Sequence, residues 1–248
     1  MTGRGWALVT GAGRRIGRVL ALSAAEAGYD VLIHHRNSAE DAEATVLAIR
    51  EIGRNAVALV ADLTASDGGA HLIADAPGPV TLLVNNASHF EDDRLSNLTA
   101  ADFDTMLSAN LKAPVLLSQA FASALGASQD GLIVNIIDQR VWRLTPQYFS
   151  YTISKSALWT ATQTMAQALA PRIRVNAIGP GPTLANIYQA SADFAAEASA
   201  LPLGRPVDPG EIGAALRYLI DAPSVTGQMI AVDGGQHLAW RTPDVLGD

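Results

Sequence analysis

Short apolar runs alternate along this chain with stretches of amphipathic rhythm. Trp6-Ala7-Leu8-Val9-Thr10, Val31-Leu32-Ile33, Ala56–Val60, Val80–Asn85, Leu132–Ile137, Ile173–Ile178 and Met229–Val232 lack a helical period. Runs of this kind read as strands buried on both faces. After the first of them, Val19, Leu20, Leu22, Ala24, Ala25 and Ala27 recur in helical rhythm, and Gly28 ends the helix. Further helices are expected over Ala39–Ile52, Asp67–Asp75, Ala100–Leu125, Tyr151–Leu169 and Pro209–Ile220. Such alternation predicts an α/β fold with a doubly wound parallel sheet, flanked by helices on both faces. No internal repeat, linker or low-complexity tract divides the chain, so a single domain over 1–248 is expected. The Ala-rich stretch Thr183–Pro202 has a weak pattern, open to two readings: a mobile substrate lid around residues 183–204, or an ordinary surface helix pair.

Composition narrows the class. The 248 residues are 49% hydrophobic with a mean hydropathy of +0.17, ample for one large core. Net charge is −7 and no basic run is longer than Arg14-Arg15, which argues against a nucleic-acid partner. There is no apolar stretch of membrane-spanning length and no charged-then-apolar leader, so no membrane is expected and the cytoplasm is the default location. Cysteine is absent and the five histidines are scattered without ligand spacing, so no metal site is expected. Glu91-Asp92-Asp93 reads as a solvated acidic loop.

Two segments carry chemistry. Thr10-Gly11-Ala12-Gly13-Arg14-Arg15-Ile16-Gly17 lies between the first strand and the first helix. Glycines there let the backbone approach a pyrophosphate, and the helix N-terminus offers N–H donors and a partial positive charge. Far along the chain, Tyr151 and Lys155 stand four apart on an expected helix, which puts both on one face. An ammonium beside a phenol favours the phenolate and brings its pKa down from about 10. The pair is therefore a candidate proton donor near neutral pH.

Together these segments resemble the short-chain dehydrogenase/reductase family, and the resemblance covers essentially the whole chain. Gly11, Ile16 and Gly17 fit its glycine signature, with Arg15 where a glycine usually stands. Ala61-Asp62-Leu63 resembles the segment bordering the adenine, and Asn85-Asn86-Ala87-Ser88 the family's Asn-Asn-Ala-Gly. Asn110 falls where the family has its helix asparagine, and the resemblance implies that it orders a water near Lys155. The stretch Asn176 to Pro182, with Pro180 and Gly181, resembles the loop that clamps the nicotinamide, and Val232-Asp233-Gly234-Gly235 the last strand and turn. The resemblance implies a Rossmann fold, a nicotinamide cofactor held in part by Tyr151 and Lys155, and a homotetramer or homodimer.

The second strand ends His34-His35-Arg36-Asn37-Ser38, without the acid that usually binds an NAD ribose. Arg36 offers a planar fork for a 2′-phosphate, His35 and Asn37 further donors, and Arg14 and Arg15 positive field, which favours NADP. Asp138 stands thirteen residues before Tyr151, where the family usually has a carbonyl-polarising Ser. A carboxylate there would repel a developing oxyanion. Either Asp138 is protonated, or the substrate offers donors, as a pterin ring does. Arg15, Ser88 and Phe90, the last able to stack on a flat heterocycle, extend the resemblance to the pteridine reductase branch, dihydromonapterin reductases included. It implies Asp138, Tyr151 and Lys155 as the catalytic set, supported by Asn110, with Arg15, Ser88, Phe90, Asp138 and Tyr151 around the substrate. The expected reaction is hydride transfer from NADPH to a C=N of a pterin-like ring. The alternatives are a carbonyl reductase of the same family, acting on a 3-oxoacyl, sugar or other ketone, and a non-catalytic NADP-binding sensor.

Overall fold

The computed structural model describes residues 4–185 and 190–240. Its seven strands are β1 (Trp6–Val9), β2 (Asp30–His35), β3 (Ala56–Val60), β4 (Val80–Asn85), β5 (Gly131–Ile136), β6 (Ile173–Pro180) and β7 (Met229–Val232). All pair in parallel, in the order β3-β2-β1-β4-β5-β6-β7. This is the doubly wound arrangement read from the apolar runs, and its strand order reverses between β1 and β4.

Alternate strand residues feed two cores. On one face Val9, Ile33, Val84, Val134 and Ile178 pack with Leu20 and Ala24 of α1 (Arg15–Glu26), Val46 and Ile49 of α2 (Ala39–Glu51), and residues from Pro209–Asp221. On the other, Leu8, Leu32, Leu83, Ile133 and Val175 meet Leu117, Phe121 and Ala166. The expected helix Asp67–Asp75 shrinks to α3 (His71–Ala74), because Gly68 and Gly69 have φ of +59° and +80° and cannot continue a right-handed helix. The expected Ala100–Leu125 helix is α4 (Ala100–Leu107) and α5 (Ala113–Ala124), joined by a π turn over Ser108–Lys112. Pro114 has no N–H for the Asn110 carbonyl four residues back, and a π turn relieves that clash.

The later helices are α6 (Phe149–Leu169), α7 (Ser191–Ser199) and α8 (Pro209–Asp221). Only one helix forms within the described part of the segment read as lid or helix pair, and residues 186–189 lie outside the described residues. No described helix is long and apolar enough to cross a membrane.

Candidate active site

The motifs converge at the C-terminal ends of the strands, around the β1/β4 switch point where open α/β sheets bind ligands. Thr10 is the hub. Its hydroxyl accepts from the N–H groups of Asn86 and Ala87, both at 2.9 Å, while the Asn86 amide donates to the carbonyls of Thr10 (2.8 Å) and Gly11 (3.1 Å). The glycine loop is thereby stitched to the segment after β4. Gly17 is buried so tightly that a Cβ would lie 2.0 Å from the Gly11 carbonyl oxygen, and Gly11 itself has φ +62°. His34, read from the sequence as part of the stretch favouring NADP, braces the same loop. The Gly11 N–H donates to its Nδ1 (3.1 Å), so Nε2 carries the proton and donates to the Ala61 carbonyl (3.2 Å). Burial lowers its pKa to about 4, which keeps the ring neutral.

Around this cradle the residues expected to hold a dinucleotide are present. Arg14, Arg36, Asn37 and Asp62 are exposed; Ile16 is half-buried and Leu63 buried. Asp62 accepts from the Thr64 hydroxyl and N–H, which holds its carboxyl below the usual range, with a smaller contribution from the charge of Arg36. The buried His35 Nδ1 at the end of β2 has no protein partner among the described residues. Pro180 closes β6, and a Cβ on Gly181 would lie 2.6 Å from the Asp233 Cα, so only glycine fits where that loop passes. A close-approach glycine cradle, an orphaned buried ring nitrogen and an exposed guanidinium fit a phosphorylated dinucleotide.

Arg15, expected beside the substrate, is engaged by the protein itself. Its guanidinium donates to the carbonyls of Leu184 (3.2 Å) and Ala185 (3.0 Å), tying the glycine loop to the segment after β6.

Asp138, Tyr151 and Lys155 do come together. Asp138 follows β5 and accepts from the Arg140 N–H (2.8 Å) and the Tyr151 hydroxyl (3.1 Å). Burial pushes its carboxyl pKa up, opposed by the Arg140 N–H and charge and by Tyr151 and Lys155. Lys155 is 2% exposed; its ammonium donates to the Ile136 carbonyl (2.9 Å) and lies 5.6 Å from the Tyr151 ring centroid. Burial lowers its pKa to about 8. The expected phenolate is not favoured. Burial, and then the charge of Asp138 and the hydrogen bond to it, raise the Tyr151 pKa well above the usual 10. In this state Tyr151 is a fully loaded proton donor.

Three devices hold the set in place. Asn85 Nδ2 donates to Asn135 Oδ1 (2.8 Å) and Asn135 Nδ2 to the Thr162 hydroxyl (2.8 Å), a buried chain linking β4, β5 and α6. Asp93 is buried rather than solvated: its carboxylate takes the N–H (3.1 Å) and hydroxyl of Ser150 at the N-terminus of α6, where a negative charge is favoured. That anchor corrects the reading of Glu91-Asp92-Asp93 as a solvated loop. Asn110 uses its whole side chain on protein groups, accepting from the Ser88 hydroxyl (3.1 Å) and His89 N–H (2.8 Å) and donating to the His89 carbonyl (2.9 Å) and Ser154 hydroxyl (3.1 Å). Its side-chain amide thereby positions the Ala87–Phe90 segment.

Phe90 is half-buried and belongs to the site. Its ring stacks on Tyr148 (4.7 Å, 27°) and meets Tyr151 edge-on (4.8 Å, 82°). The Arg140 guanidinium carbon lies 4.9 Å over the Tyr148 ring. Tyr148, in left-handed conformation at φ +54°, was missed from the sequence, where nothing marks it apart from proximity to Tyr151. Among the described residues no three His, Cys, Asp or Glu side chains group as a metal site would need.

Comparison with known proteins agrees with this geometry. The family described as Enoyl-(Acyl carrier protein) reductase matches residues 11–237. The chain is 33% identical to 3-oxoacyl-[acyl-carrier-protein] reductase FabG of Aggregatibacter actinomycetemcomitans, over 92% of this chain and 97% of that one. It is similar to the NADP complex of FolM Alternative dihydrofolate reductase 1 from Brucella suis, with 50% identity and a TM-score of 0.94 over 99% of this chain and 100% of that one. A short chain dehydrogenase from Burkholderia cenocepacia J2315, also solved with NADP, is 33% identical with a TM-score of 0.88, covering 96% and 99% of the two chains.

Proposed function

Since the chain belongs to the short-chain dehydrogenase/reductase family and is an NADP-dependent oxidoreductase, we propose that it reduces a C=N bond of a pterin-like ring. The observation that carries this reading is Asp138, bonded to the Tyr151 hydroxyl where the family usually has a serine. Its carboxyl accepts hydrogen bonds, as the N–H and amino groups of a pterin require. The Phe90 and Tyr148 rings offer flat apolar surface beside it. The 50% identity to a protein named as an alternative dihydrofolate reductase supports the same substrate class.

Bound NADPH supplies the hydride, and the protein's own groups orient the ring and deliver the proton. Tyr151 gives its hydroxyl proton to the ring nitrogen of the reduced bond. Asp138, within hydrogen-bond reach of that hydroxyl, is the relay through which a proton taken up from solvent would return to the Tyr151 phenolate. Lys155, which draws the Asp138 pKa down and lies 5.6 Å from the Tyr151 ring centroid, supplies the positive charge that would favour a transient phenolate. Arg36 and His35 would recognise a 2′-phosphate, and the close protein packing that Gly11, Gly13 and Gly17 permit shapes the loop that would cradle the pyrophosphate. A homodimer or homotetramer in the cytoplasm belongs to the same proposal.

A carbonyl reductase is the second reading, favoured by the 33% identity to a 3-oxoacyl reductase. Asp138→Ser separates the two. It should lower NADPH oxidation with dihydrobiopterin, whose ring donors lose their acceptor. It should maintain or raise oxidation with a simple ketone, since a donor replaces an anion beside the oxyanion. A wild type that reduces a 3-oxoacyl thioester or ketones well and ignores every pterin would overturn the proposal. A wild type that binds NADPH yet turns over nothing on such a panel would leave only a sensor.

A further inference from the structure

Arg140 touches both sides of the proposed substrate slot. It lies in the short turn Gln139–Val141 after β5, and Asp138 is the N-cap of that turn. The Arg140 backbone N–H donates to Asp138 Oδ1 (2.8 Å), while the other carboxylate oxygen accepts from the Tyr151 hydroxyl (3.1 Å). Its side chain runs forward along the chain. The guanidinium donates to the Thr145 hydroxyl (3.1 Å), and its carbon lies 4.9 Å from the centroid of the Tyr148 ring, within cation–π range. Among the described residues no carboxylate is at ion-pair distance from Arg140, so no anion competes with the ring for the cation.

Tyr148 is a residue that needs holding. It stands immediately before α6, and its φ of +54° is a left-handed conformation that strains a residue with a Cβ. Such strain persists only where the surroundings fix the conformation. Here the surroundings are Arg140 over the ring and Phe90 stacked on it at 4.7 Å and 27°. Phe90 in turn meets the Tyr151 ring at 4.8 Å and 82°. One guanidinium and three rings thus form a continuous row that ends at the proton donor.

We propose that Arg140 is a positioning residue for both sides of the slot: its backbone sets the Asp138 acceptor, and its guanidinium fixes Tyr148 and, through it, Phe90 as an aromatic wall for a flat ring. This rests on the pterin reading above. The charge of Arg140 also opposes the rise in pKa that burial causes at Asp138 and Tyr151, so a direct electrostatic route has to be separated from the route through Tyr148.

The experiment is a double-mutant cycle of Arg140→Gln and Tyr148→Leu, substitutions that keep every backbone group. With NADPH saturating, Arg140→Gln should raise KM for dihydrobiopterin by about three- to tenfold, the worth of a partly desolvated cation–π contact, and lower kcat less. The affinity for NADPH should stay near wild type. Arg140→Lys returns a cation to the ring and should recover part of the KM. The double variant should have the KM of Tyr148→Leu alone. An unchanged KM in Arg140→Gln overturns the proposal. So does a double variant in which the two losses multiply, because Arg140 would then act by charge on Asp138 and Tyr151. The same cycle on ligand-free protein, read as urea midpoints, needs no substrate, and the combined shift should be smaller than the two single shifts added. Additive shifts overturn the contact whatever the substrate. Coupled shifts in a protein that reduces no pterin would leave Arg140 as the residue that fixes Tyr148, and the pterin reading alone would fail.

Discussion

Lys155 is a charge kept dry at a cost the fold must bear, and that cost can be measured. Its ammonium is 2% exposed and has one protein acceptor, the Ile136 carbonyl. Burial brings its pKa from 10.5 to about 8, with Asp138 opposing. At about 1.4 kcal/mol per pH unit, that gap disfavours the folded state by about 3 kcal/mol wherever the group is charged in both states. The sign follows from a depressed folded pKa on a base. Above pH 10.5 both states are neutral and there is no penalty; it accumulates as pH falls toward 8 and is complete below. Lys155→Met keeps the stem's length, removes the charge and leaves the Ile136 carbonyl without its donor, which costs back about 1 kcal/mol. The ligand-free variant should therefore be more stable than wild type by about 2 kcal/mol at pH 7, while losing turnover. That advantage should vanish or reverse near pH 10.5. Urea unfolding at fixed protein concentration gives both differences, with unchanged m-values as the check that only stability moved. NADPH must be absent, because a ligand that binds the folded state adds its own stabilisation. A variant no more stable than wild type at pH 7, or a difference that does not change with pH, would refute the account of a desolvated ammonium.

Tyr151→Phe removes only the hydroxyl and should cut turnover by about 10²–10⁴ while NADPH titration stays near wild type; retention of more than about a tenth of wild-type turnover would mean another group donates the proton. NADPH should bind at least about tenfold more tightly than NADH, roughly 1.4 kcal/mol, and Arg36→Ala should shrink that gap; equal affinities in the wild type would sink the assignment of Arg36. Asp93→Ala removes the carboxylate that holds Ser150 at the start of α6, and should lower stability by about 1–2 kcal/mol and kcat with it; an unchanged urea midpoint would show that the helix start is held otherwise.

The sheet was legible because its strands are buried on both faces and so carry unbroken apolar runs; six of the seven expected runs differ from the observed strands by two residues or fewer. The exception is β2, which begins at Asp30 and runs on through His34 and His35. The asymmetry of Asp138, Tyr151 and Lys155 was also legible, since residue type and spacing alone raise the question of a carboxylate beside a proton donor. What escaped depends on long-range contacts. Asp93 looks like any acidic loop residue until its carboxylate is seen on a helix start 57 positions away. His34 reads as part of a phosphate-binding stretch until its two ring nitrogens are found bonded to Gly11 and Ala61. The direction of the Tyr151 shift failed for the same reason. Spacing brings Lys155 near but does not reveal that its ammonium is spent on Ile136 while the hydroxyl faces Asp138.

Arg15 joins the strands of this argument. It stands where the family signature has a glycine, and its backbone keeps the left-handed conformation a glycine would adopt, at φ +53°. For a residue with a Cβ that costs about 1–2 kcal/mol. A serviceable loop needs no side chain there, so the strain is compensated by what the guanidinium does: two charge-assisted hydrogen bonds to the Leu184 and Ala185 carbonyls, each worth about 1.5–3 kcal/mol when well formed and less where exposed, as here. The contact fastens the phosphate-binding loop to the chain leaving the nicotinamide side of the sheet. Two segments that a dinucleotide would bridge are already joined by the protein, so less ordering is left for the ligand to impose. Arginine in place of glycine is thus a pre-organising contact, and its cost is backbone strain at a single residue.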